Sequence, residues 1–498
     1  MILDHKTTRE DMETRMGILP YRGRNDIPVS FIYDGKKYEG FSDDMNPRKR
    51  FRRLDSNLTL TTVTANLDCL EIRVEYIEYK DFPVTEWVAY FENISQEKSK
   101  ILSDFRIGCG VVKTDDDVAL TYSNGDNGNN TGYEFFEDDL KKPFVLHPND
   151  TGCSCAGASP FMRLHGSTGG INIAVGWTGT WIAEFEKVDG GVKVGFGQKR
   201  CHMVLNPGEV MRTPRINFEG YVGDEAHGRN MWRRFFMKHI CVKDPDGQTL
   251  PPKLCMHVFG ADGFPEFTGA TEENQIRGIR AYIKEGVKPD IWWLDAGWYP
   301  CGDHEWPLIG TWEVNKVNFP NGLAPIGEEC KKNNIQFLLW FEPERVVAGT
   351  WLEQNHPEWL LRRPDPNDPN ILFNYAIPEA LDWMTERINK IIKESGVNIY
   401  RQDFNYDPRP SWEFHETEDR IGAIENLHIQ GYYKIWDEII LRNPGLWIDT
   451  CASGGRRNDP ETLRRSIPLH YTDVEYGVHP VKQKQHRYMF EWIPYFRA

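Results

Sequence analysis

From about residue 25 to 240 the apolar positions alternate with polar ones or fall in short mixed runs, as in Leu58–Thr64, Leu70–Ile77, Glu86–Glu92, Ile171–Trp177 and Val192–Phe196. A period of two turns one face of each segment toward a core. Such strands at short intervals, broken by Gly, Asn and Asp, predict an antiparallel β-sandwich. Ser123-Asn-Gly-Asp-Asn-Gly-Asn-Asn-Thr-Gly132 consists of turn formers and predicts a loop. A helical patch at Glu225–Phe236 follows, and Asp244-Pro-Asp-Gly-Gln-Thr-Leu-Pro-Pro252 then punctuates the chain. The boundary is set there, giving a β domain over residues 1–244 and a second domain over 252–498.

Beyond the boundary the rhythm becomes buried strand, loop, amphipathic helix. Strands are expected at Leu254–Phe259, Asp290–Asp295, Gln336–Phe341, Asn398–Asp403, Leu446–Thr450 and Leu469–Asp473. Between them, Glu273–Lys284 and Ala380–Ile392 carry apolar residues at helical spacing. Alternating strands and helices with near-continuous apolar strands predict a parallel sheet covered by helices. Nearly every strand ends in candidate chemistry: Asp295 and Trp298, Glu342 and Glu344, Asp403 and Asn405, Cys451, Asp473. Contributions from many successive strand ends belong to the mouth of a (β/α)8 barrel. An open doubly wound sheet would show a Gly-rich phosphate loop, and Gly454-Gly455 is followed by Arg456-Arg457 without that frame.

Two of these strands deliver one aspartate each, Asp403 and Asp473, seventy residues apart. Converging at one mouth they form an opposed carboxyl pair, which is what glycoside cleavage requires. Helix capping and arginine pairing are the structural alternatives. Asp295 is read as a sugar-hydroxyl ligand. Of seventeen tryptophans, only Trp298 and Trp340, at strand ends, are singled out as candidate sugar contacts. Cys451 is read as a wall residue facing the sugar rather than a nucleophile, since no basic partner is near it in sequence.

Composition narrows the partners. At 498 residues and 40% hydrophobic, the chain can fill two cores, or three. A net charge of -15 repels nucleic-acid backbones and anionic lipid, so neither is expected as a partner. No window approaches the ~18 apolar residues that span a bilayer, and the N-terminus lacks a leader pattern. Ten cysteines without metal-type spacing are read as reduced thiols of a cytoplasmic protein, with no metal and no cofactor. Self-association into a homo-oligomer is left open.

Several ordered motifs resemble glycoside hydrolase family 36, the melibiase-type retaining α-galactosidases. They are Trp340-Phe-Glu-Pro-Glu344, Arg401-Gln-Asp403-Phe-Asn405, Cys451-Ala-Ser-Gly-Gly-Arg-Arg-Asn-Asp459 and His470-Tyr-Thr-Asp473, with Val175–Trp181 and Pro207–Pro214 in the first domain. The resemblance covers most of the chain. It implies an N-terminal antiparallel β-supersandwich before a (β/α)8 TIM-type barrel, and an exo-acting α-glycosidase for terminal α-galactosides of an oligosaccharide or glycoconjugate. By position it implies that Asp403 is the nucleophile and Asp473 the general acid and base, with Asp295, Trp298, Trp340, Arg401, Asn405, Cys451 and Gly454 around the sugar.

Three positions depart from the family pattern. Ala296 stands where a second aspartate precedes Gly-Trp, Arg401 replaces a lysine, and His470 replaces a tryptophan. A reshaped subsite opens the alternatives of an α-N-acetylgalactosaminidase, or of a raffinose-synthase-like galactosyltransferase using the same glycosyl-enzyme intermediate. Only 25 residues follow Asp473, enough for one helix and at most a seventh strand ending near Ile493-Pro-Tyr-Phe. The barrel is therefore expected to be truncated at its C-terminal end.

Overall fold

The computed structural model describes residues 6–18, 25–257, 267, 269–300, 308–474 and 479–494. The first domain is built from two antiparallel sheets. One runs through Arg48–Arg53, Leu58–Leu67, Leu70–Tyr79, Val84–Asn93, Arg215–Val222, Gly169–Gly176, Phe161–His165, Ala119–Ser123 and Phe135–Asp138, with Val210–Arg212 paired beside Val84–Asn93. The other contains Phe144–Leu146, Trp181–Val188, Gly191–Gln198, Leu102–Val112, Val29–Tyr33 and Lys36–Glu39. Alternating burial along Leu70–Tyr79 follows the period-two pattern, since every second side chain points between the sheets. Phe91 of the first sheet meets Phe31 and Phe105 of the second at ring separations of 5.2 and 5.6 Å, and Phe218 meets Phe196 at 5.7 Å. Each such buried ring contributes about 1.5–3 kcal/mol.

The second domain contains a parallel sheet in the order Cys255–Met256, Ile291–Leu294, Gln336–Phe341, Ile399–Gln402, Trp447–Thr450. Five of the six expected strands are thus present over their described residues, with Val258 and Phe259 lying outside them. Both expected helices form. Glu272–Lys284 is capped by Thr271, whose hydroxyl accepts the Asn274 N–H, and Pro378–Ser395 ends at Gly396 with φ +68°. A small antiparallel sheet of Arg345–Val347, Asn370–Phe373 and Leu360–Leu361, not foreseen from the pattern, separates the third strand from the Pro378–Ser395 helix.

The sixth expected strand, Leu469–Asp473, is a correction. Its only bridge is the isolated one of Thr472 with Gly454, and just before it Ile467 bridges Asp449. The reason is local: Pro468 offers no N–H to a ladder, and the Leu469 N–H is taken by the Asp449 carboxylate at 2.8 Å. The seventh strand is corrected as well over its described part. After the His479–Met489 helix, Ile493 and Pro494 carry no strand. Trp492 instead stacks on Phe161 of the first domain at 5.9 Å, and its carbonyl accepts the Trp232 indole N–H at 2.9 Å.

The antiparallel β domain is stitched to the parallel strand–helix part of the chain. His202–Met203 of the second sheet pairs with Arg420–Ile421 from the far side. The buried Glu461 carboxylate accepts from Arg212 at 2.8 Å and from Arg215 at 2.6 Å. Among the described residues no helix is long and apolar enough to cross a membrane.

Candidate active site

Residues following the Ile399–Gln402 strand converge with those after Gln336–Phe341 and Trp447–Thr450, because the three strands are parallel neighbours whose C-terminal ends face the same side. Asp403 lies at this end and is 7% exposed. Its Oδ1 accepts the N–H groups of Phe404 at 2.7 Å and Ser453 at 3.1 Å. Its Oδ2 accepts the Asn405 amide at 2.8 Å and the Trp340 indole at 3.3 Å. Burial works to raise its pKa, yet the charge of Arg401, the Cys451 thiol, the Asn405 amide and the Ser453 N–H outweigh it and hold the carboxyl below its ordinary value. A carboxylate caged by donors stays ionised and oriented.

The cage is itself braced. The Asn405 N–H donates to Glu342 at 2.7 Å, and Arg345 clamps Glu342 with two bonds of 2.7 and 2.6 Å. Ser453 Oγ donates to the Asn405 side-chain oxygen at 2.8 Å. Glu344 is held by Arg457, by His428 at 3.0 Å and by Gln402 at 2.9 Å. Both glutamates are fully buried and committed to arginines.

Arg401, in register with Trp340 on one side and Asp449 on the other, stacks over Trp293 at 4.3 Å. It pairs with Asp449 and lies 3.7 Å from Asp295. Asp295 accepts from the Trp293 indole at 2.7 Å and the Ala296 N–H at 2.9 Å. Burial dominates there, lifting its pKa to about 6 against the pull of Arg401. Trp298 is buried in full and donates to the Trp340 carbonyl at 2.7 Å, so it props the wall from behind. Cys451 is buried, its thiol pushed far up by burial and by the nearby carboxylates of Asp403 and Asp473. Gly454, at φ +86°, donates its N–H to the Cys451 sulfur at 3.3 Å; a Cβ there would meet the Asp473 N–H nitrogen at 2.6 Å.

Asp473 is the open member of the set. Its side chain is 42% exposed and pairs with His470 at 3.2 Å. Its link to Asp403 runs through the Cys451–Gly455 loop, since Gly454 bridges Thr472 while Cys451 bonds Asp403. Sequence reasoning missed Ser453, Asp449 and two residues of the first domain, Asp126 and Tyr133. Asp126 receives N–H and O–H groups from Gly455 at 2.7 Å and Thr472 at 2.9 Å. Only their place in a polar turn is visible in the chain, and that pattern does not say what the turn touches. Among the described residues no cluster of three or more His, Cys, Asp or Glu is poised to hold a metal.

Comparison with known proteins finds relatives of this chain. The Melibiase family profile matches residues 271–484. Probable alpha-galactosidase C of Aspergillus flavus is 27% identical over 361 residues, 68% of this chain and 43% of its own length. Alpha-galactosidase AgaA of Geobacillus stearothermophilus is 24% identical over 417 residues, 79% of this chain and 54% of its own. The crystal structure of AgaA superposes with a TM-score of 0.74 at 19% identity, covering 95% of this chain and 67% of that one. The alpha-galactosidase from Lactobacillus brevis gives 0.74 at 18%, covering 93% and 64%. This chain thus spans about half the length of the curated relatives it matches.

The chain thus joins an antiparallel β domain to a parallel strand–helix domain that carries a caged carboxylate at a strand end. Residues 271–484 resemble the Melibiase family, and the fold is similar to that of solved GH36 alpha-galactosidases.

Proposed function

We propose that this chain is the catalytic portion of a retaining, exo-acting α-glycosidase that removes terminal α-galactosyl groups by double displacement, with its parallel sheet forming part of a (β/α)8 barrel. The observation that carries the reading is the cage around Asp403, which keeps one buried carboxylate ionised at a strand end while Asp473 stands open to solvent on the adjoining loop. In the first step an Asp403 oxygen bonds to the anomeric carbon as the glycosidic C–O bond breaks, and Asp473 gives its proton to the leaving oxygen. In the second, Asp473 takes a proton from water as that water attacks the same carbon and frees Asp403. Relatives named as α-galactosidases support the substrate class, and AgaA variants are solved with raffinose and with stachyose.

The test is a panel of nitrophenyl α-glycosides with the chain and its Asp403 variants. Asp403→Asn is expected to abolish turnover, and Asp403→Gly to regain it with azide, giving the inverted glycosyl azide. Full activity in Asp403→Asn would remove the mechanism. Preference for the N-acetylgalactosaminide, or transfer to an acceptor sugar faster than to water, would replace the galactosidase assignment.

A further inference from the structure

The turn-rich loop of the first domain reaches the mouth of the second. Asp126, fully buried, follows the Ala119–Ser123 strand. Its Oδ2 accepts the Gly455 N–H at 2.7 Å, and its Oδ1 accepts the Thr472 hydroxyl at 2.9 Å and the Gly128 N–H at 3.0 Å. Gly455 lies two residues beyond Ser453, whose N–H holds Asp403, and Thr472 directly precedes Asp473. One carboxylate therefore ties the nucleophile's loop to the segment bearing the second aspartate. The approach is so close that a Cβ on Gly454 would come 2.5 Å from Asp126 Oδ2.

A second tie from the same loop runs parallel to the first. The Tyr133 hydroxyl donates to the Tyr471 carbonyl at 2.9 Å and accepts the Asn458 amide at 3.2 Å. The Cys155 carbonyl accepts the Asp126 N–H at 2.8 Å while the Cys155 N–H donates to the Arg456 carbonyl at 2.7 Å, fixing the loop itself. This bracing matters because Leu469–Asp473 has no regular strand to hold it. A general acid must stand within hydrogen-bond reach of the leaving oxygen, and a displacement of an ångström is costly.

We propose that Asp126 is a positioning residue for Asp473: delivered by the first domain, its carboxylate spans Gly455 and Thr472 and so sets where the acid/base stands relative to Asp403. The inference rests on the glycosidase reading above. Protonation of the leaving group is needed most when that group is a poor one, so a misplaced acid slows alkyl galactosides far more than dinitrophenyl galactoside. Loss of a merely structural contact would slow both alike.

The experiment compares Asp126→Asn, which keeps the shape, with Thr472→Val, which removes the same bond from its other end. Each is assayed with methyl and dinitrophenyl α-galactosides, with and without azide. The expected result is a loss of ~10-fold or more on the methyl glycoside, a share of the roughly 10²–10⁴ that acid–base catalysis contributes. Turnover of the dinitrophenyl substrate should fall less and rise with azide, giving the retained α-glycosyl azide. The double variant should lose no more than the worse single one. Equal losses on both substrates, or losses that multiply, overturn the positioning role. Asp473→Ala and Asp403→Gly run alongside: should neither lose activity, the glycosidase reading fails, whereas normal losses there with an unaffected Asp126→Asn defeat only this inference.

Discussion

The indole N–H of Trp298 donates to the main-chain carbonyl of Trp340 at 2.7 Å, and the Trp340 indole in turn reaches Asp403 at 3.3 Å. The two tryptophans read as candidate sugar contacts are thereby linked to each other and to the carboxylate. Tyr299 and Phe341 pack around Trp298 at 4.8 and 5.3 Å, so the link is embedded in the aromatic core.

Trp340→Phe keeps the ring and removes the donor. A hydrogen bond to a charged group is worth roughly 1.5–3 kcal/mol, so kcat/KM should fall about 10- to 100-fold with little change in thermal stability. Trp298→Phe should show itself first as lost stability, on the order of 1–3 kcal/mol, because it leaves the buried Trp340 carbonyl without its donor. Steady-state kinetics beside denaturant unfolding separates the two.

Asn405 predicts a pH effect. Its amide helps hold the Asp403 pKa below the ordinary value. Activity needs the ionised form, so the acid limb of kcat/KM follows this group. Asn405→Ala removes a donor to the charged form and should move that limb to higher pH. A limb that stays in place would detach Asp403 from it.

Glu344 predicts acid stability. Burial opposes its charge, but Arg457 and His428 bring its pKa to about 2, against an ordinary 4.5. Its contribution is present above pH 4.5 and is lost as pH falls through 2. The depression corresponds to on the order of 3 kcal/mol. Glu344→Gln should be less stable at neutral pH, with the gap narrowing toward pH 2 in urea titrations.

Glu425 predicts the opposite slope. Fully buried between the domains, it accepts the Thr180 N–H at 2.6 Å and the Trp177 indole at 3.3 Å, and burial lifts its pKa to about 7. A raised carboxyl contributes below pH 4.5, and that contribution is lost as pH rises through 7. Glu425→Gln should flatten the decline in unfolding free energy between pH 5 and 8, whatever its effect on the absolute value.

Local patterning carried far in this chain. Alternation in Leu70–Ile77 marks a strand whose every second residue is buried, and the apolar run Gln336–Phe341 marks a central parallel strand. Asp403 and Asn405 were singled out in sequence because a carboxylate and an amide follow such an apolar strand, and the fold sets them side by side, the Asn405 amide on the Asp403 carboxylate. Leu469–Asp473 misled, since its apolar start looked like a strand while Pro468 and the Asp449 carboxylate had already claimed its hydrogen bonding. Trp298, buried in full, shows a different limit: position after a strand does not say whether a ring faces the mouth or the core.

The order of residues alone marked the alternating strands of the β domain and the apolar parallel strands with their helices, because periodicity and turn chemistry act within a few residues. Tertiary structure alone decided that a loop near residue 126 would brace the segment ending at 473, and that Glu344 would serve Arg457. Those contacts join groups 346 and 113 residues apart. Hydrogen-bond satisfaction of buried carboxylates is settled only when both partners have been brought out of water together.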